Sequence, residues 1–464
     1  MVGVSGVRGI VDKDLTPEVV TRWARAFGRW ARERKPLVVV GRDSRPSGPR
    51  FARAVQEGLA AAGCDVIDVG LVPTPTIQLA VEFHHAGGGI AVTASHNPSE
   101  WNALKFIGPD GIFLDESDGA RVRDWAVDGS DDGGGGKEKV GKVTTDGGAI
   151  ERHLERVLAL PAVDVEAIRA RRFRVALDTV RGAGGVIMPA LLERLGCAVW
   201  GLELTPDGQF PRAPEPVPEH LGVLGTAVRK SAAALGIAVD PDVDRLAIVD
   251  ETGTPIGEDY TLAFAVRAVL GDQGVARSGS QKPLIAYPPN RLAVVCNLST
   301  SLVVEDAARA CGGTIVRTPV GEAHVARRMV DLGAVIGGEG NGGVIYPALH
   351  AGRDAPVAAA LALTLLARTG QRVSELVAAA PRYTIVKAKT ARGPALDAVY
   401  AALRKRFKDA AVDTQDGLRL AWPDRWLHVR PSNTEPIVRL IAEAPAGELA
   451  QQLVDEGKKL CGAA

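Results

Sequence analysis

Leu235-Gly-Ile-Ala-Val-Asp240-Pro-Asp242-Val-Asp244-Arg245 is an apolar run that breaks into a polar loop, and this pattern occurs three times in the chain. Leu235–Asp240 matches Leu332-Gly-Ala-Val-Ile-Gly337 and Gly89-Ile-Ala-Val-Thr-Ala94. The match aligns the loops that follow: Ser95-His96-Asn97-Pro98, Asp240–Arg245 and Glu339-Gly-Asn341-Gly-Gly343. Each run ends a longer unit. The first unit runs from Leu37-Val-Val-Val-Gly41 through a helix ending near Gly63-Cys64 and a strand Asp65–Val69 to Gly89–Thr93. The second runs from Arg174–Asp178 through a helix ending at Gly196-Cys197 and a strand Ala198–Trp200 to Gly236–Val239. The third runs from Leu292–Cys296 through a helix ending at Cys311-Gly-Gly313 and a strand Thr314–Val316 to Gly333–Ile336. Short β-branched runs alternating with helical periodicity predict strands buried on both faces in α/β layers. Ligands in such sheets sit beyond the carboxyl ends of strands, so each unit delivers one polar loop to where a site is built.

After about residue 375 the order changes. Strands at Tyr383–Lys387, Gly417–Ala421, Trp426–Arg430 and Val438–Ala442, with a helix near Leu396–Phe407 and a final helix, predict a smaller α+β domain with its own loop, Arg430-Pro-Ser-Asn-Thr434. The expected fold is α/β: three similar domains with mixed sheets between helices, then the α+β domain. Their expected bounds are 1–150, 151–255, 256–372 and 373–464. Asp131–Gly136, polar and Gly-rich, reads as a hairpin or surface turn near the first boundary.

The 55 Lys and Arg balance 55 Asp and Glu, which argues against a general binder of nucleic acid or anionic membrane. With 46% apolar and 24% charged residues, the 464-residue chain has the composition of a soluble globular protein. No apolar run approaches the ~18 residues of a membrane span, and Met1–Arg8 lacks the basic start of a signal peptide. A cytoplasmic protein is expected. Five widely spaced cysteines without a Cys-x-x-Cys pair point to reduced core thiols, and neither a disulfide framework nor a zinc site is indicated.

Four loops carry chemistry. Asp240, Asp242 and Asp244 alternate at period two, so a continuing extended strand brings their carboxylates together at its tip. Three close carboxylates repel unless a cation neutralises them, and an all-oxygen set suits Mg2+; the bland alternative is a solvated acidic turn. An EF-hand is disfavoured because Arg245 holds the sixth position, where that loop needs Gly, and Leu246–Val249 reads as a strand. Ser95 follows a buried strand directly, as a nucleophile or phosphate carrier or else as a capping hydroxyl. No Gly-x-Ser-x-Gly elbow surrounds it, which argues against acyl transfer. His96 beside it orients the site, exchanges a proton or is structural. Arg430, Ser432, Asn433 and Thr434, with Arg439 a strand later, form a donor-rich loop suited to a phosphate dianion or an ordinary polar turn. Glu339 and Asn341 on a glycine backbone suit sugar hydroxyls or a tight turn.

In this order the four loops resemble those of the α-D-phosphohexomutase family, the phosphoglucomutases, phosphomannomutases and phosphoglucosamine mutases, over essentially the whole chain. Thr93-Ala-Ser-His-Asn-Pro98 looks like the family's phosphoserine loop, Asp240–Arg245 its metal loop, Gly338–Gly342 its sugar loop and Arg430–Pro436 its phosphate loop. Ser5-Gly-Val-Arg8-Gly9 and Gly41-Arg-Asp-Ser-Arg45 also resemble family motifs, and Asn102 with Lys105 falls where the family has Asn-Gly-x-Lys. The resemblance implies four domains around a central cleft. It implies a phosphorylated Ser95 that exchanges phosphate with a hexose 6-phosphate or 1-phosphate through a bound hexose 1,6-bisphosphate, which also serves as activator. One Mg2+ is implied among Ser95, Asp240, Asp242 and Asp244. Lys105 and Arg8 are implied in proton transfer and charge stabilisation, with His96 beside the carrier. Arg245, Asn97 and Asn102 are supporting residues. The implied partner is a phosphosugar, with the chain a monomer or homodimer.

Three departures stand out. Pro241 replaces a common Gly in the metal loop, Ala103 replaces the Gly of Asn-Gly-x-Lys, and Asn341 and Gly343 replace a Ser and a His of the sugar loop. A role of that histidine is therefore not transferred. The Glu-Gly-Asn-Gly-Gly form and Trp101-Asn-Ala-Leu-Lys105 are similar to archaeal-type phosphoglucosamine mutases, which favours glucosamine phosphate over mannose or glucose phosphate. A catalytically silent sugar-phosphate binder is the remote alternative from another class, and a phosphatase is a further one.

Overall fold

The computed structural model describes residues 2–3, 6–128, 140–271, 292–391, 396–432 and 437–462. Ser5 of the first-domain motif, the Asp131–Gly136 turn, and Asn433 and Thr434 of the fourth loop lie outside the described residues. The first sheet contains β1 (Val2–Gly3), β2 (Gly6–Ile10), β3 (Leu37–Arg42), β4 (Asp65–Leu71), β5 (Gly88–Val92), β6 (Trp101–Ile107) and β7 (Val143–Thr145), in the order β1-β2-β6-β5-β3-β4-β7. The second contains β8 (Arg174–Asp178), β9 (Ala198–Leu202), β10 (Leu235–Val239) and β11 (Leu246–Val249), in the order β11-β10-β8-β9. The third contains β12 (Ala293–Asn297), β13 (Thr314–Thr318), β14 (Ile336–Glu339), β15 (Gly343–Tyr346) and β16 (His350–Arg353), in the order β13-β12-β14-β15-β16. The fourth, antiparallel throughout, contains β17 (Thr384–Ala391), β18 (Ala411–Asp413), β19 (Leu418–Ala421), β20 (Trp426–Pro431) and β21 (Ile437–Ala444), in the order β17-β21-β20-β19-β18.

The sequence repeat is a topological repeat. In each of the three repeated units the opening strand pairs in parallel with the second strand on one side and the third on the other, and the third then pairs antiparallel with a fourth: β4-β3-β5-β6, β9-β8-β10-β11 and β13-β12-β14-β15. The three aligned loops all join the third strand to its antiparallel partner. Strands β5, β10 and β11 are buried along their whole length, as their unbroken apolar runs require. The edge strand β9 instead exposes Trp200, because among the described residues no strand pairs with its outer side.

Packed behind the second and third sheets is the helix Ala355–Thr369, apolar on nearly every side. Its start is fixed by Asp354, whose Oδ1 accepts the Val357 N–H at 2.9 Å, and its end by Gly370 with φ 70°. All five cysteines are buried thiols that form no disulfide. Among the described residues no helix is long and apolar enough to cross a membrane.

Two expectations need correction. Gly333–Val335 is not strand: Gly333, at φ 62°, caps the preceding helix in the left-handed region, and β14 begins only at Ile336. The three aspartates do not continue β10 as an extended strand either. The chain turns after Val239, with Val243 at φ 64° and its N–H bonded to the Asp240 carbonyl at 3.1 Å.

Candidate active site

The tight turn brings the aspartates together more closely than an extended strand would. One carboxylate oxygen from each of Asp240, Asp242 and Asp244 lies within 4.8 Å of the others, and all three side chains are buried. Asp240 Oδ1 accepts the backbone N–H groups of Asp244 and Arg245, both at 3.2 Å, which curls the loop around that carboxylate. Asp242 Oδ2 accepts the Thr74 hydroxyl and the Lys105 ammonium, both at 2.7 Å. Asp244 Oδ2 accepts Arg353 Nη2 at 2.6 Å.

Burial and mutual repulsion push the Asp240 carboxyl well above its usual range. Burial also opposes ionisation of Asp242 and Asp244, but Lys105 together with the Thr74 and Asp240 hydrogen bonds at Asp242, and Arg353 together with Lys105 and Arg245 at Asp244, hold both carboxyls below their usual range, so both stay ionised. Asp242 Oδ1 and Asp244 Oδ1 are buried without a hydrogen-bond partner. Two orphaned carboxylate oxygens facing a third carboxylate are what a hard divalent cation satisfies, so the donor set fits a metal ion of the Mg2+ class.

Ser95 meets this triad. Its Oγ donates to Asp240 Oδ2 at 2.8 Å, and its backbone sits at φ 49°. A non-glycine residue in the left-handed region persists only when its surroundings hold it there. Here the holding group is Arg45, completely buried, whose guanidinium donates to the carbonyls of Ser95, Asn97, Pro98 and Trp101 while its Nε pairs with Asp43 at 3.0 Å. Thr93 completes the brace by donating to Asp43 at 2.6 Å and accepting the Ser95 N–H at 2.9 Å.

A cavity of about 370 Å³ opens over Ser95, walled by Arg8, His96, Lys105, Arg245, His324 and Arg353 among others. Arg8 Nη1 donates to Asn97 Oδ1 at 2.9 Å, and β2–β6 register sets Arg8 opposite Ala103 and Gly6 opposite Lys105. The Lys105 ammonium stays charged: burial opposes it, but Asp242 and Asp244 hold it above its usual range. His96 Nδ1 is 3.3 Å from Ser95 Oγ. Arg245 and then burial push its pKa down to about 2, so the ring is neutral. Asn102 faces away from the cavity, with Nδ2 donating to Ser47 Oγ at 2.8 Å.

The sugar-loop candidates sit one layer behind. Glu339 and Gly343 are paired across the β14–β15 hairpin, and Gly342, at φ 87°, accepts the Leu246 N–H at 3.0 Å, close enough that a Cβ there would lie 2.5 Å from the Leu246 carbonyl. Glu339 accepts from Asn297 at 2.9 Å, the Gly321 N–H at 3.1 Å, Arg353 at 2.8 Å and Asn341 at 3.4 Å. In the fourth sheet Arg430 pairs with Arg439, which pairs with Lys389, so the register lines up three cations across β20, β21 and β17. Arg430 Nε is 2.9 Å from Asp416, and Asp416 accepts the N–H of Val320 in the cavity wall at 3.1 Å. Ser432 is buried beside them.

Four family descriptions match in succession: the phosphoglucomutase/phosphomannomutase alpha/beta/alpha domains I, II and III over residues 1–128, 151–253 and 271–383, and the C-terminal domain over 385–459. A Thermococcus kodakarensis protein named phosphoglucomutase/phosphomannomutase is 38% identical, over 99% of this chain and 97% of its own. The chain belongs to the phosphoglucomutase/phosphomannomutase family. A Methanopyrus kandleri relative named "Probable phosphoglucosamine mutase" is also 38% identical, over 98% and 96%. The crystal structure of a Burkholderia thailandensis phosphoglucomutase/phosphomannomutase family protein superposes with a TM-score of 0.83 at 26% identity, covering 100% of this chain and 98% of the other.

Within this family fold, several residues that hold the site together carry little signal in the sequence. Arg45 ends Gly41-Arg-Asp-Ser-Arg45, where nothing local marks its role, and Thr74 sits in Pro73-Thr-Pro-Thr76, whose only local signal is a turn. Lys389 was signalled by the alternation of Lys387-Ala-Lys389 on a strand. Arg353 and Glu322, whose Oε2 lies 3.0 Å from Arg353 Nε, carry no local signal.

Proposed function

We propose that this member of the family interconverts hexose or hexosamine 6-phosphate and 1-phosphate, with Ser95 as the phosphoryl carrier. The observation that carries the reading is the hydroxyl of Ser95, held on a strained turn at 2.8 Å from Asp240 and opening into the cavity shared with Lys105 and Arg8. Asp240, Asp242, Asp244 and the carrier group on Ser95 would hold the metal. Bound Mg2+ supplies charge neutralisation for phosphoryl oxygens. The residues of this chain do the rest.

The phosphoryl group leaves Ser95 Oγ for the free hydroxyl of the bound sugar phosphate, giving a bisphosphate; the bisphosphate turns end for end and returns its other phosphate to Ser95. Lys105, held as an ammonium between Asp242 and Asp244, and Arg8, fixed through Asn97, supply positive charge where the transferred oxygens collect it. The sugar hydroxyl gives up a proton as it attacks and Ser95 Oγ takes one up as it leaves; His96, 3.3 Å from Oγ, is positioned to exchange the proton at Oγ, giving it in this step and taking it back when Ser95 is rephosphorylated. A phosphoryl dianion on Ser95 opposes the Arg245 field that keeps the ring neutral, so its proton affinity rises when the carrier is loaded. The sugar hydroxyls are assigned to the loop of Glu339 and Asn341, which lies behind the cavity wall. Arg430, Ser432, Asn433, Thr434 and Arg439, joined by Lys389, hold the phosphate that is not reacting.

Glucosamine phosphate is the favoured substrate, supported by the Glu339-Gly-Asn-Gly-Gly343 form and by the name of the Methanopyrus kandleri relative. The equally similar Thermococcus kodakarensis protein supports glucose or mannose phosphate as the second reading. A 31P NMR time course with Mg2+, a trace of hexose 1,6-bisphosphate and separate glucosamine, mannose and glucose 6-phosphates tests it. The expected result is conversion to the 1-phosphate, fastest with glucosamine and absent in Ser95→Ala. Release of inorganic phosphate instead would make the chain a phosphatase, and no conversion of any sugar would make it a binder.

A further inference from the structure

Arg353 ends strand β16 and is 7% exposed. Its guanidinium lies among three carboxylates from three segments: Nη2 is 2.6 Å from Asp244 Oδ2, Nη1 is 2.8 Å from Glu339 Oε2 and Nε is 3.0 Å from Glu322 Oε2. Its backbone N–H donates to Glu322 Oε1 at 3.0 Å, so the strand end is anchored as well as the fork. Asp244 belongs to the acidic triad, Glu339 to the sugar loop, and Arg353 itself lines the cavity over Ser95. One cation is thus divided between the acidic triad and the residue that the proposed function assigns to the sugar. Only a planar fork with donors on separate nitrogens reaches both at once.

The hairpin tip is shaped around this side chain. A Cβ on Gly343 would lie 2.2 Å from Arg353 Cδ and 3.0 Å from Cγ, so the stem of Arg353 fills the space a side chain at position 343 would need. Those are mid-stem atoms pinned at the far end by three carboxylates, which leaves them little room to give way. Gly343 and Arg353 therefore work as one unit.

We propose that Arg353 is a positioning residue that sets two properties of the site together: it moderates the attraction of the acidic triad for its metal by sharing the charge of Asp244, and it aims Glu339 at the sugar. This rests on the mutase reading for the identity of the sugar, but both halves are read by binding and not by turnover. Were Arg353 only a brace for the fold, its loss would loosen the triad and weaken metal binding. As a shared counter-ion, its loss leaves Asp244 more negative and strengthens metal binding while sugar binding falls.

The test is calorimetric titration of the full chain with Mn2+, and of the Mg2+-loaded chain with glucosamine 6-phosphate, in wild type, Arg353→Met, Arg353→Lys and Gly343→Ala. Arg353→Met is expected to bind Mn2+ at least threefold more tightly and the sugar phosphate at least tenfold more weakly. Arg353→Lys keeps the charge but not the fork, so Mn2+ affinity returns to within threefold of wild type while the sugar defect remains. Gly343→Ala, which displaces the stem without removing a charge, shifts both affinities in the directions of Arg353→Met by smaller factors, and serves if Arg353→Met does not fold. Mn2+ binding weakened or unchanged in Arg353→Met, or in Gly343→Ala where that variant stands in, overturns the proposal, as does unchanged sugar binding. Failure of the mutase reading shows separately, as absence of 1-phosphate from the wild-type enzyme in the NMR time course.

Discussion

Arg45 carries more of the site than its buried position suggests, because its guanidinium donates to four backbone carbonyls of the loop that presents Ser95 and pairs with Asp43. A lysine keeps the charge but cannot hold four divergent acceptors and a carboxylate. Arg45→Lys is expected to cost about 2–4 kcal/mol, read as a lower urea midpoint. The strained φ of Ser95 relaxes in that variant, so kcat falls by at least about tenfold, roughly the 1.4 kcal/mol that holding the turn is worth, with KM little changed. At the phosphate-binding end, Lys389→Ala removes one of three aligned cations that touch no reacting atom. It is expected to raise KM several-fold and leave kcat within about twofold, as loss of uniform binding requires. The identity of the polar loops was legible from residues such as Ser95 and Asp240, because they break apolar runs at matching places. Arg353 was not legible: it meets Asp244 across 109 residues of chain, and no local pattern marks an arginine that a fold will bury among carboxylates.

At the scale of elements, the repeated strand order was readable because each unit buries its strands on both faces and so writes them as continuous apolar runs. The turn at Asp240–Asp244 was not, because alternation in sequence looks extended whereas the left-handed Val243 folds it back. A related subtlety lies at the start of the helix Asp259–Leu270. Asp259 is half-buried, its carboxylate lying beneath the sugar loop, where its Oδ1 accepts the Ser301 N–H at 2.8 Å, and Gly340 leaves room for it: a Cβ there would lie 2.1 Å from that oxygen. Burial pushes the Asp259 carboxyl up to about 8 from the ordinary 3.8. Between those values the folded chain holds a proton that the unfolded chain has lost, so this group makes stability fall as pH rises from about 4 to about 8. Differential scanning calorimetry of Asp259→Asn, which keeps the acceptor oxygen without the titration, is expected to show a smaller drop in Tm between pH 5.5 and 8.5 than wild type. An equal drop would assign the pH dependence elsewhere, with Glu443, also raised by burial, the next group to replace.

Across the whole molecule the acidic turn is a junction. Its residues are held from the first sheet's side by Thr74, Lys105 and Ser95 and from the third sheet's side by Arg353, the Ala355 N–H and the Gly342 carbonyl. A cation bound there stabilises the native chain alone, by about 2.7 kcal/mol at a hundredfold excess over its Kd. Mg2+ is therefore expected to raise Tm, EDTA to reverse the rise, and Asp242→Asn to abolish it. The fourth sheet meets the third through the Ser299–His428 contact at 2.8 Å and the bond from Ser301 to Glu443, which ties the cation stripe of β17, β20 and β21 to the same arrangement. The central claim is that these loops form one phosphoryl-transfer site with Ser95 as carrier. Its most direct measurement is to load Ser95 with 32P, add unlabelled glucosamine 6-phosphate, and follow the label. The account predicts that label leaves the protein and appears in sugar phosphate, with none as inorganic phosphate; label that stays on the protein or is released to water would contradict it.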